Sequence, residues 1–290
     1  MDDKVLLAAL AKLQGQAELP ASQFTAAQRS VLDRFARQTG AVRSQRQGRG
    51  EIYRVVDPAL FATHLSALSP DVDAGAALQI PLRARHIARA RDSKAGVHQH
   101  EHYYLLIKAV GDSVVWRESH RGIELPLSRA TLDFGAATLK VDASDAWTTE
   151  QDLWLVENQA LFDRTDWLPE NTKATIAYYG GQLNGILIDW LGSRARAGQV
   201  MHFPDYDGIG LANFSRLHAV LGDACRFWLM PDWSEKLDRY GSTQLWRDTL
   251  RDFTSASQRL PEYLTPLTRQ MLHTGRALEQ ESVWLSGVSR

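Results

Sequence analysis

Apolar and polar positions alternate with three different rhythms along this chain. Near the start, Leu6, Ala9, Leu10 and Leu13 lie three or four residues apart, which predicts an amphipathic helix over the first dozen residues. Phe24, Ala27, Val31 and Phe35 mark the apolar stripe of a second helix, opened by the capping box Thr25-Ala-Ala-Gln28 and ended by Gly40. Residues 41–47 and 51–56 then read as strands, and Gly48-Arg49-Gly50 between them is a hairpin signal. Asp57-Pro58 starts another helix, with aspartate as cap and proline at the first turn. Helices followed by a basic-tipped hairpin predict a winged-helix-like domain over 1–70.

Residues 71–150 carry a weaker pattern and read as a connector or small sheet, with strands at 103–110 and 113–116 around the Gly111-Asp112 turn. From Asp152 the rhythm becomes regular: strands at 153–156, 174–179, 199–203 and 225–229 alternate with helices at 182–192 and 208–221. Leu183, Ile186, Leu187, Trp190 and Leu191 fill every apolar position of the helical template. Near-continuous apolar strands separated by amphipathic helices predict an α/β fold over 151–290, a doubly wound parallel sheet whose ligands bind beyond the carboxyl ends of its strands. Pro231 begins a helical tail, with a last long helix expected from Tyr263 to Leu285.

Composition narrows the class. Hydrophobic residues make up 44% of the 290, as in ordinary globular proteins, which argues against disorder. The first residues are acidic where a secretion signal would be basic, and no apolar run approaches the roughly eighteen residues of a membrane span, so a cytoplasmic protein without membrane contact is expected. The single cysteine, Cys225, excludes an internal disulfide and reads as core. Net charge is -1, but its distribution is uneven. Arg29, Arg34, Arg37, Arg43, Arg46 and Arg49 crowd the first domain, and Arg89, Arg91 and Lys94 lie in a second basic stretch. Both predict contacts with the phosphates of an anionic polymer, double-stranded DNA.

Acids gather later in the chain. Leu153-Trp-Leu-Val-Glu157 and Met201-His-Phe-Pro-Asp205-Tyr-Asp207-Gly208 each read as a buried strand ending in carboxylates. Alternate residues of an extended segment share a side, so Asp205 and Asp207 point together, and Glu157 can join them from a neighbouring parallel strand. Clustered carboxylates repel unless a hard cation sits among them, and all-oxygen ligation selects Mg2+ or Mn2+. Acids at strand-to-helix junctions also serve as helix caps. Gly180-Gly181 lets backbone approach a phosphate at a helix start, or simply makes a tight turn. Glu279 and Glu281 fall on different faces of the expected last helix, so one of them completes the metal set. His98, His100 and His102 alternate as zinc ligands would, but no cysteine accompanies them and a loop explains them better. Trp233 and Trp246 are candidates for a dimer interface.

A glutamate after one strand, the pair Gly180-Gly181 after the next and Asp205-x-Asp207 after the third resemble a Toprim domain, the metal-binding fold of topoisomerases, primases and some nucleases. With Asn158, Tyr179, Gly208, Gly210 and the late Ala277-Leu-Glu279-Gln-Glu281, the pattern is similar to the Toprim nuclease subunit (JetD or MksG) of Wadjet-type plasmid-defence complexes, related to the topoisomerase VI A subunit. The resemblance implies a DNA endonuclease with two Mg2+ or Mn2+ ions per site and Glu157, Asp205 and Asp207 as catalytic residues. It also implies a homodimer working with an SMC-like ATPase complex and its kleisin-type subunits. The topoisomerase relatives use a nucleophilic tyrosine in the winged-helix domain. Here Tyr53 is the only tyrosine before Tyr103 and lies in the second hairpin strand, which disfavours a transesterase. A non-catalytic DNA-binding and dimerisation module holding a structural Mg2+ remains the other alternative.

Overall fold

The computed structural model describes residues 2–48, 50–69, 83, 84, 86, 87 and 101–286, and the chain divides into two compact units, 1–99 and 100–290. The first unit contains α1 (Asp2–Leu13), β1 (Glu18–Pro20), α2 (Ala26–Thr39), β2 (Val42–Gln47), β3 (Gly50–Val55) and α3 (Pro58–Leu68). Its three antiparallel strands lie in the order β1-β3-β2. The Thr25–Gln28 capping box forms reciprocally, and Gly40 ends α2 in the left-handed conformation with φ 71°. Asp57 accepts from the Leu60 amide and caps α3. β1 was not foreseen, because three residues of which one is proline carry no periodic signal. Ala9, Leu10, Leu13, Leu32, Phe35, Tyr53 and Phe61 form this unit's core.

The second unit is mixed α/β. Its elements are β4 (Tyr103–Val110), β5 (Val115–Glu118), β6 (Ile123–Pro126), α4 (Leu127–Phe134), β7 (Ala137–Val141), β8 (Trp147–Thr148), β9 (Asp152–Val156), α5 (Gln159–Asp163), β10 (Ala174–Tyr178), α6 (Gly185–Gly192), β11 (Val200–Phe203), α7 (Gly208–Leu221) and β12 (Cys225–Phe227). Three further helices follow, α8 (Trp233–Tyr240), α9 (Thr243–Ala256) and α10 (Thr265–Thr274), and a 3-10 turn covers Gln280–Trp284. Six strands form one sheet in the order β12-β11-β9-β10-β4-β7, and β5, β6 and β8 form a small separate one.

Two expectations are corrected here. The large sheet is not wholly parallel: β12, β11, β9 and β10 run parallel, whereas β4 pairs antiparallel with both β10 and β7. Within the stretch 71–150, the described residues from 101 onward do more than connect: β5, β6 and β8 form a small sheet, while β4 and β7 complete the large one through pairings such as Ala174↔Val110. The four residues Leu153–Val156 are all buried, as expected for a central strand covered on both faces.

The expected helix over 263–285 also breaks. α10 stops at Gly275, whose φ of 62° suits glycine, and the chain continues extended. It makes two isolated antiparallel bridges, Ser242↔Ala277 and Tyr206↔Leu278. Among the described residues, no helix is long and apolar enough to cross a membrane.

Candidate metal centre

Strand register builds the site. Val156 of β9 pairs with Tyr178 of β10 on one side and Phe203 of β11 on the other, so the three strands end level. The residues that follow them, Glu157, Tyr179 and the Pro204–Asp207 segment, therefore emerge side by side. β10 and β11 flank β9 on opposite sides, which makes this edge the place where the strand order reverses and where open α/β sheets bind ligands.

Each acid is held differently. Asp207 is the N-cap of α7: its carboxylate accepts from the Gly210 amide at 2.7 Å. A side chain at Gly208 would place Cβ 1.9 Å from the Thr249 carbonyl oxygen, so only glycine permits α7 to start this close to α9. Asp205 accepts from the Gln280 amide at 2.8 Å. Glu157 accepts from the Tyr179 hydroxyl at 3.2 Å.

Burial acts on all three, and neighbouring carboxylates add to it. Burial is the main cause that raises Glu157 to about 7, with the charge of Asp207 adding to it. Burial again leads for Asp205, raised to about 8, while the Gln280 amide opposes and Glu157, Asp207 and Glu281 reinforce. Asp207 is raised as well, by burial first, against the Gly210 and Ile209 amides and with exposed Asp252 of α9 adding negative charge.

The late glutamates separate. Glu279 is exposed at the start of the 3-10 turn, whereas Glu281 lies close enough for its charge to act on Glu157 and Asp205. Glu281 Oε2 is buried and has no hydrogen-bond partner among the described residues. A buried carboxylate oxygen without a donor fits a place for a cation, and so does the raised proton affinity of its neighbours. Glu157, Asp205, Asp207 and Glu281 thus fit a hard divalent ion by chemistry. As placed, no three His, Cys, Asp or Glu side chains among the described residues form a closed ligand set.

Gln280 was missed by sequence reasoning because an expected helix hid it. It is wholly buried, its amide holds Asp205, its Oε1 accepts from Asn158 N at 3.2 Å and its Nε2 donates to Phe203 O at 3.3 Å. It therefore ties the ends of β9 and β11 to the C-terminal segment. His202 was missed too, although a histidine inside the apolar strand Val200–Phe203 was a visible signal.

Gly180 and Gly181 adopt φ of 62° and 78°, so their conformations need glycine, but they do not abut a helix start. α6 begins only at Gly185, capped by Asn184, and Gly181 O accepts from Asn213 Nδ2 at 3.3 Å.

In the first unit the basic residues are dispersed. Arg29 is half-buried and turned onto the Ala21 and Phe24 carbonyls, a structural role rather than a phosphate contact. Arg34 and Arg37 are exposed on α2. Arg43 and Arg46 are exposed on β2 but three residues apart, hence on opposite faces, and Arg46 stands opposite Glu51. Arg49, Arg89, Arg91 and Lys94 lie outside the described residues, as do His98 and His100. Tyr53 is fully buried; its hydroxyl donates to Asp33 at 2.7 Å, and burial together with that carboxylate holds it protonated. Cys225 is core, its thiol pushed up to about 12 by burial. Trp246 packs on Phe253 with ring centroids 4.7 Å apart.

The molecule is thus a mixed α/β protein whose second unit gathers four carboxylates at the carboxyl edge of a six-stranded sheet. Residues 103–288 match the model of the family described as Domain of unknown function (DUF7281), and the chain belongs to that family. A search of curated proteins gave no match.

Proposed function

We propose that the 100–290 unit is a Toprim-type, Mg2+- or Mn2+-dependent DNA endonuclease domain, and that the 1–99 unit is a winged-helix-like module that holds duplex DNA. The observation that carries this reading is the cluster of Glu157, Asp205 and Asp207 at the level ends of adjacent parallel strands with Glu281 of the C-terminal 3-10 turn, whose Oε2 has no partner among the described residues. Such a bound ion supplies Lewis-acid stabilisation of the phosphoryl oxygens and a water more acidic than bulk. Glu157, Asp205, Asp207 and Glu281 would hold it. The Gln280 amide fixes Asp205, the Gly210 amide fixes Asp207, and Tyr179 donates to Glu157. By the family resemblance, the substrate is plasmid DNA and the partners are an SMC-like ATPase complex with kleisin-type subunits, with the chain acting as a homodimer.

Thermal unfolding with and without Mn2+, alongside incubation with supercoiled plasmid, tests the proposal. Mn2+ is expected to raise the Tm of the wild type by binding the native state, and Asp205→Ala and Asp207→Ala should abolish that rise. Plasmid should be nicked or linearised in Mn2+ with the partner subunits present, not in chelator, and not by Glu157→Ala. Tyr53→Phe should still cut, because its hydroxyl is committed to Asp33 inside the core. A covalent protein–DNA adduct, lost in Tyr53→Phe, would replace hydrolysis by transesterification.

A further inference from the structure

We propose that Tyr179, itself fixed by His202, is the positioning residue that aims Glu157 at the cation, an inference that rests on the metal-site reading above. The register that levels β9 with β10 puts Tyr179 beside Glu157, and the Tyr179 amide donates to Val156 O at 3.1 Å, which fixes its backbone. Tyr179 is buried. Among the described residues its hydroxyl meets Glu157 Oε2 at 3.2 Å and His202 Nε2 at 3.1 Å.

Proton counting decides who donates. A tyrosine hydroxyl carries one proton, and a neutral imidazole has one N–H. His202 is neutral, since complete burial drives it down to about 3. An ionised Glu157, the form that ligates a metal, only accepts, so the Tyr179 proton goes to it. His202 must then carry its proton on Nε2 and donate to the tyrosine oxygen. This leaves Nδ1 as a bare lone pair, and Nδ1 is the ring atom found buried without a partner among the described residues. An unmet acceptor is cheaper to bury than an unmet N–H. The opposite arrangement would strip Glu157 of its donor and strand an N–H at Nδ1. The imidazole is kept in place by parallel stacking on Phe214, with 10° between the ring planes. The chain His202–Tyr179–Glu157 therefore runs from the sheet core to the site with a single direction of donation.

Mn2+ titration calorimetry on the full-length protein tests this. Removing a partner that orients a metal ligand weakens affinity by roughly 10- to 100-fold, so Tyr179→Phe should bind Mn2+ that much less tightly while still unfolding cooperatively. His202→Leu should shift affinity in the same direction, and His202→Gln, which keeps an N–H donor, should recover it. Independently of any variant, nitrogen-15 spectra of the Mg2+-loaded wild type should show His202 as the Nε2–H tautomer. An unchanged Mn2+ affinity in Tyr179→Phe, or an Nδ1–H tautomer in the loaded protein, would overturn the positioning role and leave the metal site standing. A wild type that takes up no Mn2+ would overturn both.

Discussion

Glu157 and Asp205 were legible as candidates because each closes an apolar run, and Asp207 because it lies two residues beyond Asp205 in extended chain. Their supporting residues were not legible in the same way. Tyr179 acquires a role only through the register of β10 against β9, and Gln280 only because Gly275 releases the chain from its helix. Neither event leaves a periodic trace. The energetic consequence of packing these acids together can be measured. Asp205 holds its proton up to about pH 8 in the fold, against an ordinary value of about 4 when unfolded. The folded state therefore binds the extra proton between those limits, and the associated stability is fully present below about pH 4 and lost as pH rises through about 8. In chelator, the Tm of the wild type should decline across the neutral range, and Asp205→Asn should decline less. Calorimetric Tm profiles from pH 5.5 to 8.5 check this (roughly the window those limits set); equal slopes would locate the effect in other groups.

Helices with caps or complete apolar stripes were predicted close to where they occur, as α2 and α3 show. Boundaries failed where a local signal competed with a distant contact. Gly180-Gly181 looked like a strand-to-helix turn, yet Asn184 caps α6 three residues later. Gly208 carries a constraint of the same kind, set by Thr249 of α9, 41 residues on. Gly208→Ala forces a methyl into the Thr249 carbonyl, an overpacking that costs about 1–3 kcal/mol. Gly185→Ala, where a new Cβ meets nothing within 4 Å, should be neutral or slightly stabilising. Denaturant midpoints of the two variants are expected to differ in this order, and a tolerant Gly208→Ala would mean that α7 and α9 can slide apart.

At the level of the complete chain, the alternation of strand and helix after Asp152 was sufficient to infer an α/β unit, but not its extent. β4 and β7 both precede that rhythm and join its sheet through antiparallel pairing, which no window of sequence can display. The basic first unit invites its own measurement. If Arg43 and Arg46 both touch phosphates, replacing them by alanine should reduce the log-log salt slope of duplex binding by up to about two, one for each lost contact. Because they lie on opposite faces of β2, a drop of only about one would identify which face meets the duplex when the single variants are compared; no change would remove β2 from the interface. The bridge between Tyr206 and Leu278, with Gln280 clasping Asp205 just beyond it, has a consequence for the order of synthesis. The sheet edge leaves the ribosome first and the fourth carboxylate last. Until residue 281 has been translated and has docked, a nascent chain carries Asp205 unclasped and the acid cluster incomplete, so the cluster is assembled only after the segment that carries Gln280 and Glu281 has been made.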